Sequence, residues 1–159
     1  MISERLLLAF AGGLAVLTPV YAQLHDPHKM TCTAARGMLV PNCNGAICNQ
    51  GRVTGDLKGS FTSNRTSIYR DGSGWLYSSW TRIQLDDGLG VIETVDEGTL
   101  AADANGLPDF SQAAQVMVLS EAKGKYQEYA GTFLMNGGHL VGQATPYNGR
   151  LCWRLPPRS

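Results

Sequence analysis

The sequence predicts an all-β protein, a small closed antiparallel barrel of about seven or eight strands, stapled by disulfides. Three observations point there. Short β-rich runs with period two lie between turn-forming glycines from Gly51 onward. Gly and Pro, 19 and 7 of 159 residues, discourage long amphipathic helices. The four cysteines are an even set suited to an exported, oxidised chain.

The elements follow in chain order. Residues 1–22 (MISERLLLAFAGGLAVLTPVYA) read as a signal peptide: Arg5 precedes an apolar stretch from Leu6 to Leu17, and Val20 and Ala22 flank Tyr21 as a peptidase site requires. The apolar run is shorter than the roughly 20 residues of a membrane span, so no span is expected after cleavage. Residues 23–50 form a cysteine-containing N-terminal segment ahead of the barrel, which is assigned to residues 51–153. Residues 154–159 are expected as a loose tail.

Within the barrel, Val53, Gly55, Leu57, Gly59 and Phe61 alternate with polar neighbours, a half-buried strand whose inward glycines imply strong bending. A turn at 71–74 leads to a strand over 75–85. Asp86-Asp87-Gly88 is a hairpin signal before a strand over 89–96. Residues 97–112 are expected as a loop. Residues 111–122 are ambiguous between helix and strand, and Val116 to Leu119 favours strand. Further strands are expected over 125–135, over 139–145 and around 151–153, with turns at 136–138 and 148–149. Closure into a barrel rather than a sandwich follows from the bends within strands and from the exposed edges that closure removes.

For the cysteines, Cys32–Cys152 with Cys43–Cys48 is the favoured pairing. The first pair joins opposite ends of the mature domain and the second surrounds a turn-rich segment. Crossed pairings of Cys152 with Cys43 or Cys48 stay open. The location implied is secreted or periplasmic.

Thirteen basic residues balance thirteen acidic ones, which argues against a nucleic-acid partner or a polybasic membrane surface. No phosphate loop, nucleophile elbow or spaced zinc ligand set is present. His25 and His28 lie in a short His-Asp-Pro-His run near the expected cleavage site, and His139 stands alone. No metal or cofactor is assigned.

The run from Gly51 to Phe61 (GRVTGDLKGSF), Asp87-Gly88 with Glu93 to Leu100 (ETVDEGTL), Ala122 to Gly131 (AKGKYQEYAG) and Asn148 to Cys152 (NGRLC) together resemble the allene oxide cyclase-like barrel proteins, a group also similar to dirigent proteins. The resemblance spans roughly residues 50–153 and rests mostly on turn glycines. It implies a barrel whose interior takes a hydrophobic substrate or ligand, and it carries no catalytic residue onto this chain.

Candidate site residues come from the strand pattern. Leu89, Val91, Glu93 and Val95 share one face. If that face lines the lumen, Glu93 is a carboxylate among apolar side chains with a raised pKa, suited to acid–base catalysis. Trp75 and Tyr77 on one parity, Trp80 on the other, and Tyr126 are the aromatic candidates for lining a ligand site together with Val91 and Glu93. The leading expectation is an exported barrel that holds a small hydrophobic molecule in its interior without catalysis. The alternatives are a cyclase- or isomerase-like enzyme working inside the barrel, and an envelope or secreted protein-interaction factor recognised by an exposed apolar patch. Whether the protein is an enzyme is left open.

Overall fold

The computed structural model of the chain describes residues 30–43, 49–137 and 143–154. Residues Thr31–Arg154 form one compact unit. Eight strands follow one another in order, each antiparallel to the next, as a closed barrel: β1 Met30–Pro41, β2 Gln50–Gly55, β3 Gly59–Asp71, β4 Gly74–Leu85, β5 Gly90–Ala102, β6 Pro108–Gly124, β7 Tyr129–Asn136 and β8 Thr145–Arg154. A Cys32–Cys152 disulfide ties β1 to β8. Cys43 is also disulfide-bonded; its expected partner Cys48 lies outside the described residues, as do 1–22, His25, His28, His139 and 155–159.

The barrel differs from the sequence reading in its boundaries. Residues 30–41, assigned to a segment ahead of the barrel, are its first strand. The expected strand from Gly51 to Phe61 is two strands joined by a turn at 56–58, which docks on β1 through Asp56 Oδ2, accepting from the Arg36 N–H at 2.8 Å. The inward parity nevertheless carries through the turn, because Val53, Leu57, Gly59 and Phe61 are all buried. The expected loop 97–112 is mostly strand: β5 and β6 run long, and only 103–107 connects them. Glycine, proline and asparagine there read as loop, yet long strands are what a tilted barrel needs. Asn148 and Gly149 lie inside β8 rather than in a turn, and Arg154 belongs to β8 rather than the tail. Residues 111–122 are strand, as expected.

Two ladder irregularities between β5 and β6, at Glu93/Thr94 and Leu100/Ala101, and one between β3 and β4, at Arg65/Ser67, bend the sheet toward closure. At Gly98 the backbone leaves room for the Tyr77 ring, which would collide with any Cβ there.

Inside, three layers stack along the barrel. Nearest the 56–58, 86–89 and 125–128 turns lies an apolar cluster that includes Leu57, Ile83, Ile92, Met117, Phe133 and Leu151. A polar layer of Ser79, Thr81, Thr94, Asp96 and Gln115 follows, all buried. Toward the opposite end Tyr77, Leu100 and Ala113 form a second apolar cluster, with Trp75 and Phe110 packed against it. Tyr147 reaches from β8 over Gly37 of β1 to the end of β2: its hydroxyl accepts from the Leu57 N–H at 3.0 Å and donates to Thr54 O at 3.2 Å.

Candidate functional sites: a buried acid and a barrel mouth

The expected lumen face of β5 is the outer face. The β4–β5 register pairs Arg82 with Glu93 and Ile83 with Ile92, and the fully buried residues are Ile92, Thr94 and Asp96. Glu93 points outward into an ion pair with Arg82, Oε1 to Nη1 at 2.6 Å. Val95 is 52% exposed and Val91 half-buried on the same outer face. A one-residue change of parity inverts every side chain of a strand, so the lumen carboxylate is Asp96, not Glu93.

Asp96 sits in a cage of donors. Thr81 Oγ1 donates to Oδ2 at 2.6 Å, Ser79 Oγ to Oδ2 at 3.2 Å and Thr94 Oγ1 to Oδ1 at 2.6 Å. Gln115 adds a side-chain hydrogen bond to the same carboxylate. The Gln115 Oε1 accepts in turn from the Tyr77 hydroxyl at 2.7 Å. Thr81 spends its single proton on Asp96, so at 3.1 Å it accepts from Ser63. Burial pushes the Asp96 carboxyl above the usual carboxylate range, and the four hydrogen bonds hold it back. Burial also raises the Tyr77 phenol, with the Asp96 charge adding and Arg65 opposing.

Arg65 stands opposite Ser79 in the β3–β4 register and so shares the inward parity. Its guanidinium carbon lies 4.5 Å from the Phe110 ring centroid and 5.9 Å from that of Tyr77, a cation over two aromatic faces. Trp75 donates its indole N–H to Gly106 O at 3.1 Å, so its polar tip is satisfied by the 103–107 connection.

A carboxylate offers about four acceptor positions, and four donors already face Asp96. It is an acid with elevated proton affinity, yet no acceptor position stays free for a substrate. No buried side-chain polar atom among the described residues lacks a partner.

The space in the barrel is unevenly distributed. Between Leu39, Leu57, Ile83, Met117, Phe133 and Tyr147 the void is only about 10 Å³, less than one water occupies by volume. At the turn end, by contrast, a mouth of about 340 Å³ opens between Thr33, Asp56, Lys125, Tyr126, Tyr129 and Trp153, with the core residues Ala35, Leu57 and Leu151 as its floor. Its wall is a run of three aromatic rings: Tyr126 meets Tyr129 edge-on at 5.1 Å between centroids, and Tyr129 meets Trp153 at 5.3 Å. Lys125 Nζ lies 5.3 Å from the Tyr126 ring centroid. The β6–β7 turn holds this arrangement through Tyr129 N–H to Tyr126 O at 3.0 Å.

The candidates from sequence are thus dispersed. Trp75 and Tyr77 belong to the inner cluster far from that mouth, Tyr126 to the mouth, and Trp80, Val91 and Glu93 to the outer surface. Asp96, its hydroxyl donors and Trp153 are not among those candidates, and Tyr129, expected on the opposite parity from Tyr126 in one strand, joins it at the mouth because 125–128 is a turn. The available signal was the Arg82/Glu93 charge pair, which a hairpin centred on 86–89 places side by side on a wet face.

The outer face of β4 to β7 is apolar for a solvent-facing surface. Trp80, Val95, Val116, Val118 and Leu134 are each at least 40% exposed. Among the described residues no His, Cys, Asp and Glu cluster is arranged to hold a metal, and no helix is long and apolar enough to cross a membrane. The disulfide is compatible with an extracellular or periplasmic location. Comparison of the chain with protein-family models, curated proteins and solved structures found no match.

Proposed function

We propose that this is an exported barrel that binds a small, largely apolar molecule without catalysis, and that the molecule sits in the mouth at the turn end rather than deep in the barrel. One observation carries the reading: the mouth measures about 340 Å³ and is floored by core side chains and walled by three aromatic rings, whereas the apolar interior below it holds only about 10 Å³. Ligand sites begin near 300 Å³ and combine apolar walls with a few polar groups. Asp56 and Lys125 supply those groups at the rim. A closed barrel is the fold that the resemblance to the allene oxide cyclase-like proteins implies, and the cyclases of that group bind hydrophobic substrates.

The test uses 1-anilinonaphthalene-8-sulfonate, a small aromatic anion, as the probe. Tyr126→Ala and Trp153→Ala each remove one ring contact, worth about 0.5–1.5 kcal/mol beyond area, and should weaken probe binding about three- to tenfold. Unchanged affinity in both variants contradicts the site.

A second reading, cyclase- or isomerase-like chemistry inside the barrel, is supported by the raised proton affinity of Asp96. It requires a substrate to displace one of the four donors around that carboxylate. Asp96→Asn keeps the shape and removes the acid, so retained turnover of a candidate substrate excludes it.

A further inference from the structure

One motif stands outside the ligand site. Asn64-Arg65-Thr66 is an Asn-X-Thr triplet with no proline in the middle, the acceptor pattern for N-linked glycosylation of a secreted chain. The Cys32–Cys152 bridge belongs to the same oxidising export route. Such triplets also arise by chance, so the surroundings of this one in the fold decide its meaning.

Asn64 of β3 stands directly opposite Trp80 of β4. Ser79 and Thr81, on either side of Trp80, are buried, so Trp80 and Asn64 share the outer face. Asn64 is exposed, and its carboxamide makes no hydrogen bond to any described residue. The middle residue, Arg65, has inward parity and lies over the Phe110 ring, which leaves the outer side clear. The row that begins at Asn64 continues through Trp80, Val95 and Val118, which are 40%, 52% and 49% exposed. An apolar row of this kind in water is an unexplained surface until something covers it. Neighbouring strands are only about 4.8 Å apart, so the first sugar on Asn64 starts beside the indole. A pyranose ring offers a face of slightly positive C–H bonds, which suits the negative face of an aromatic ring. We infer that Asn64 carries an N-linked glycan whose first sugars lie over Trp80 and along the row toward Val95. The inference rests on the export in the reading above and not on its ligand.

In the folded barrel Thr66 Oγ1 donates to Ser78 O at 3.1 Å, at the bulge between Arg65 and Ser67. The hydroxyl that a glycosyl transferase must read is therefore engaged once β3 pairs with β4. Transfer precedes that pairing, on the extended chain during export. The donor is a lipid diphosphate-linked oligosaccharide. Asn64 Nδ2 attacks the anomeric carbon of its first sugar. The C–N bond forms, the C–O bond to the diphosphate breaks with its electron pair, and one amide proton passes to a base of the transferase.

The experiment uses the full chain with its leader, recovered after export from its own host. Peptide-N-glycosidase in heavy-oxygen water, then proteolysis and mass spectrometry, should find Asn64 converted to heavy-oxygen aspartate. Asn64→Gln and Thr66→Ala should each abolish the modification and lower the intact mass by the whole glycan, whereas Thr66→Ser should retain it. The N-terminal and cysteine peptides of the same digest report export separately. A processed, disulfide-bonded chain with Asn64 unmodified overturns the inference alone. A chain that keeps its leader and free thiols overturns the export reading and the glycan with it. For the placement, acrylamide should quench tryptophan fluorescence more in Asn64→Gln than in wild type, and the difference should vanish when both carry Trp80→Phe. Equal quenching in Asn64→Gln and wild type, or a difference that survives Trp80→Phe, overturns the sugar over Trp80.

Discussion

Gly98 tests the packing around the polar layer more sharply than any other single position. A Cβ built there lies 2.5 Å from both Cε1 and Oη of Tyr77. Gly98 is not among the positive-φ glycines, so its backbone tolerates alanine, and only the collision decides the outcome. Ordinary contact begins near 3.4 Å, and Cζ of the ring is nearer still, so the ring must retreat by about 1 Å in an interior packed at crystal-like density. Tyr77 is buried and its hydroxyl is held by Gln115 at 2.7 Å. Overpacking of this kind costs about 1–3 kcal/mol, and loss of a typical hydrogen bond adds about 1 kcal/mol. Gly98→Ala should therefore destabilise by about 2–4 kcal/mol, a fall in Tm of roughly 6–16 °C for a domain of this size. Thermal unfolding by circular dichroism measures it. The mechanism also predicts strong coupling: in a Tyr77→Ala background the methyl at 98 should cost almost nothing. A Tm within 2 °C of wild type for Gly98→Ala, or the same loss in both backgrounds, refutes the reasoning.

Further predictions follow from the buried acid and the staple. The folded-state pKa of Asp96 is raised, so the folded state holds its proton at pH values where the unfolded chain, near pKa 3.9, has released it. Stability from this group is then full below about pH 3.9 and is lost as pH rises through the folded pKa. The Tm of Asp96→Asn relative to wild type should accordingly increase with pH above about 4, whatever its offset at low pH; a difference that instead shrinks as pH rises means the carboxyl is depressed. Replacing Cys32 and Cys152 together by serine opens a loop of sequence separation 120, which in the chain-entropy model costs about 4–5 kcal/mol. Urea unfolding of the double variant should show that loss, and an unchanged midpoint would mean the barrel closes by its strands alone.

The fold was legible because period two and turn glycines act locally. Ile83, Leu85 and the Asp86–Gly88 turn are enough to set the β4–β5 hairpin. Two kinds of information were not local. Strand ends depend on partners: residues 97–102 carry turn-forming residues, yet Glu97 to Leu100 pair with Val116 to Ala113, and Ala101 and Ala102 pair with Asp109 and Pro108, so both chains remain strand. Parity depends on register. Leu89, Val91 and Val95 made the Glu93 face look oily, while Thr94 and Asp96 made the true lumen face look wet. The barrel buries a polar layer because hydroxyls from β4 and β5 satisfy Asp96, a compensation that exists only after strands pair. Tyr129 and Trp153 were hidden for a similar reason, since β7–β8 register alone places them opposite each other.

The location of the bound molecule is the central claim, and methyl and indole NMR during titration with 1-anilinonaphthalene-8-sulfonate tests it most directly. Saturable shifts should appear at the Leu151 methyls and the Trp153 indole, and Leu39, Ile83 and Met117 should stay still. Saturable shifts concentrated at Leu39, Ile83 and Met117, with Trp153 unmoved, would place the ligand in the barrel interior and contradict the account.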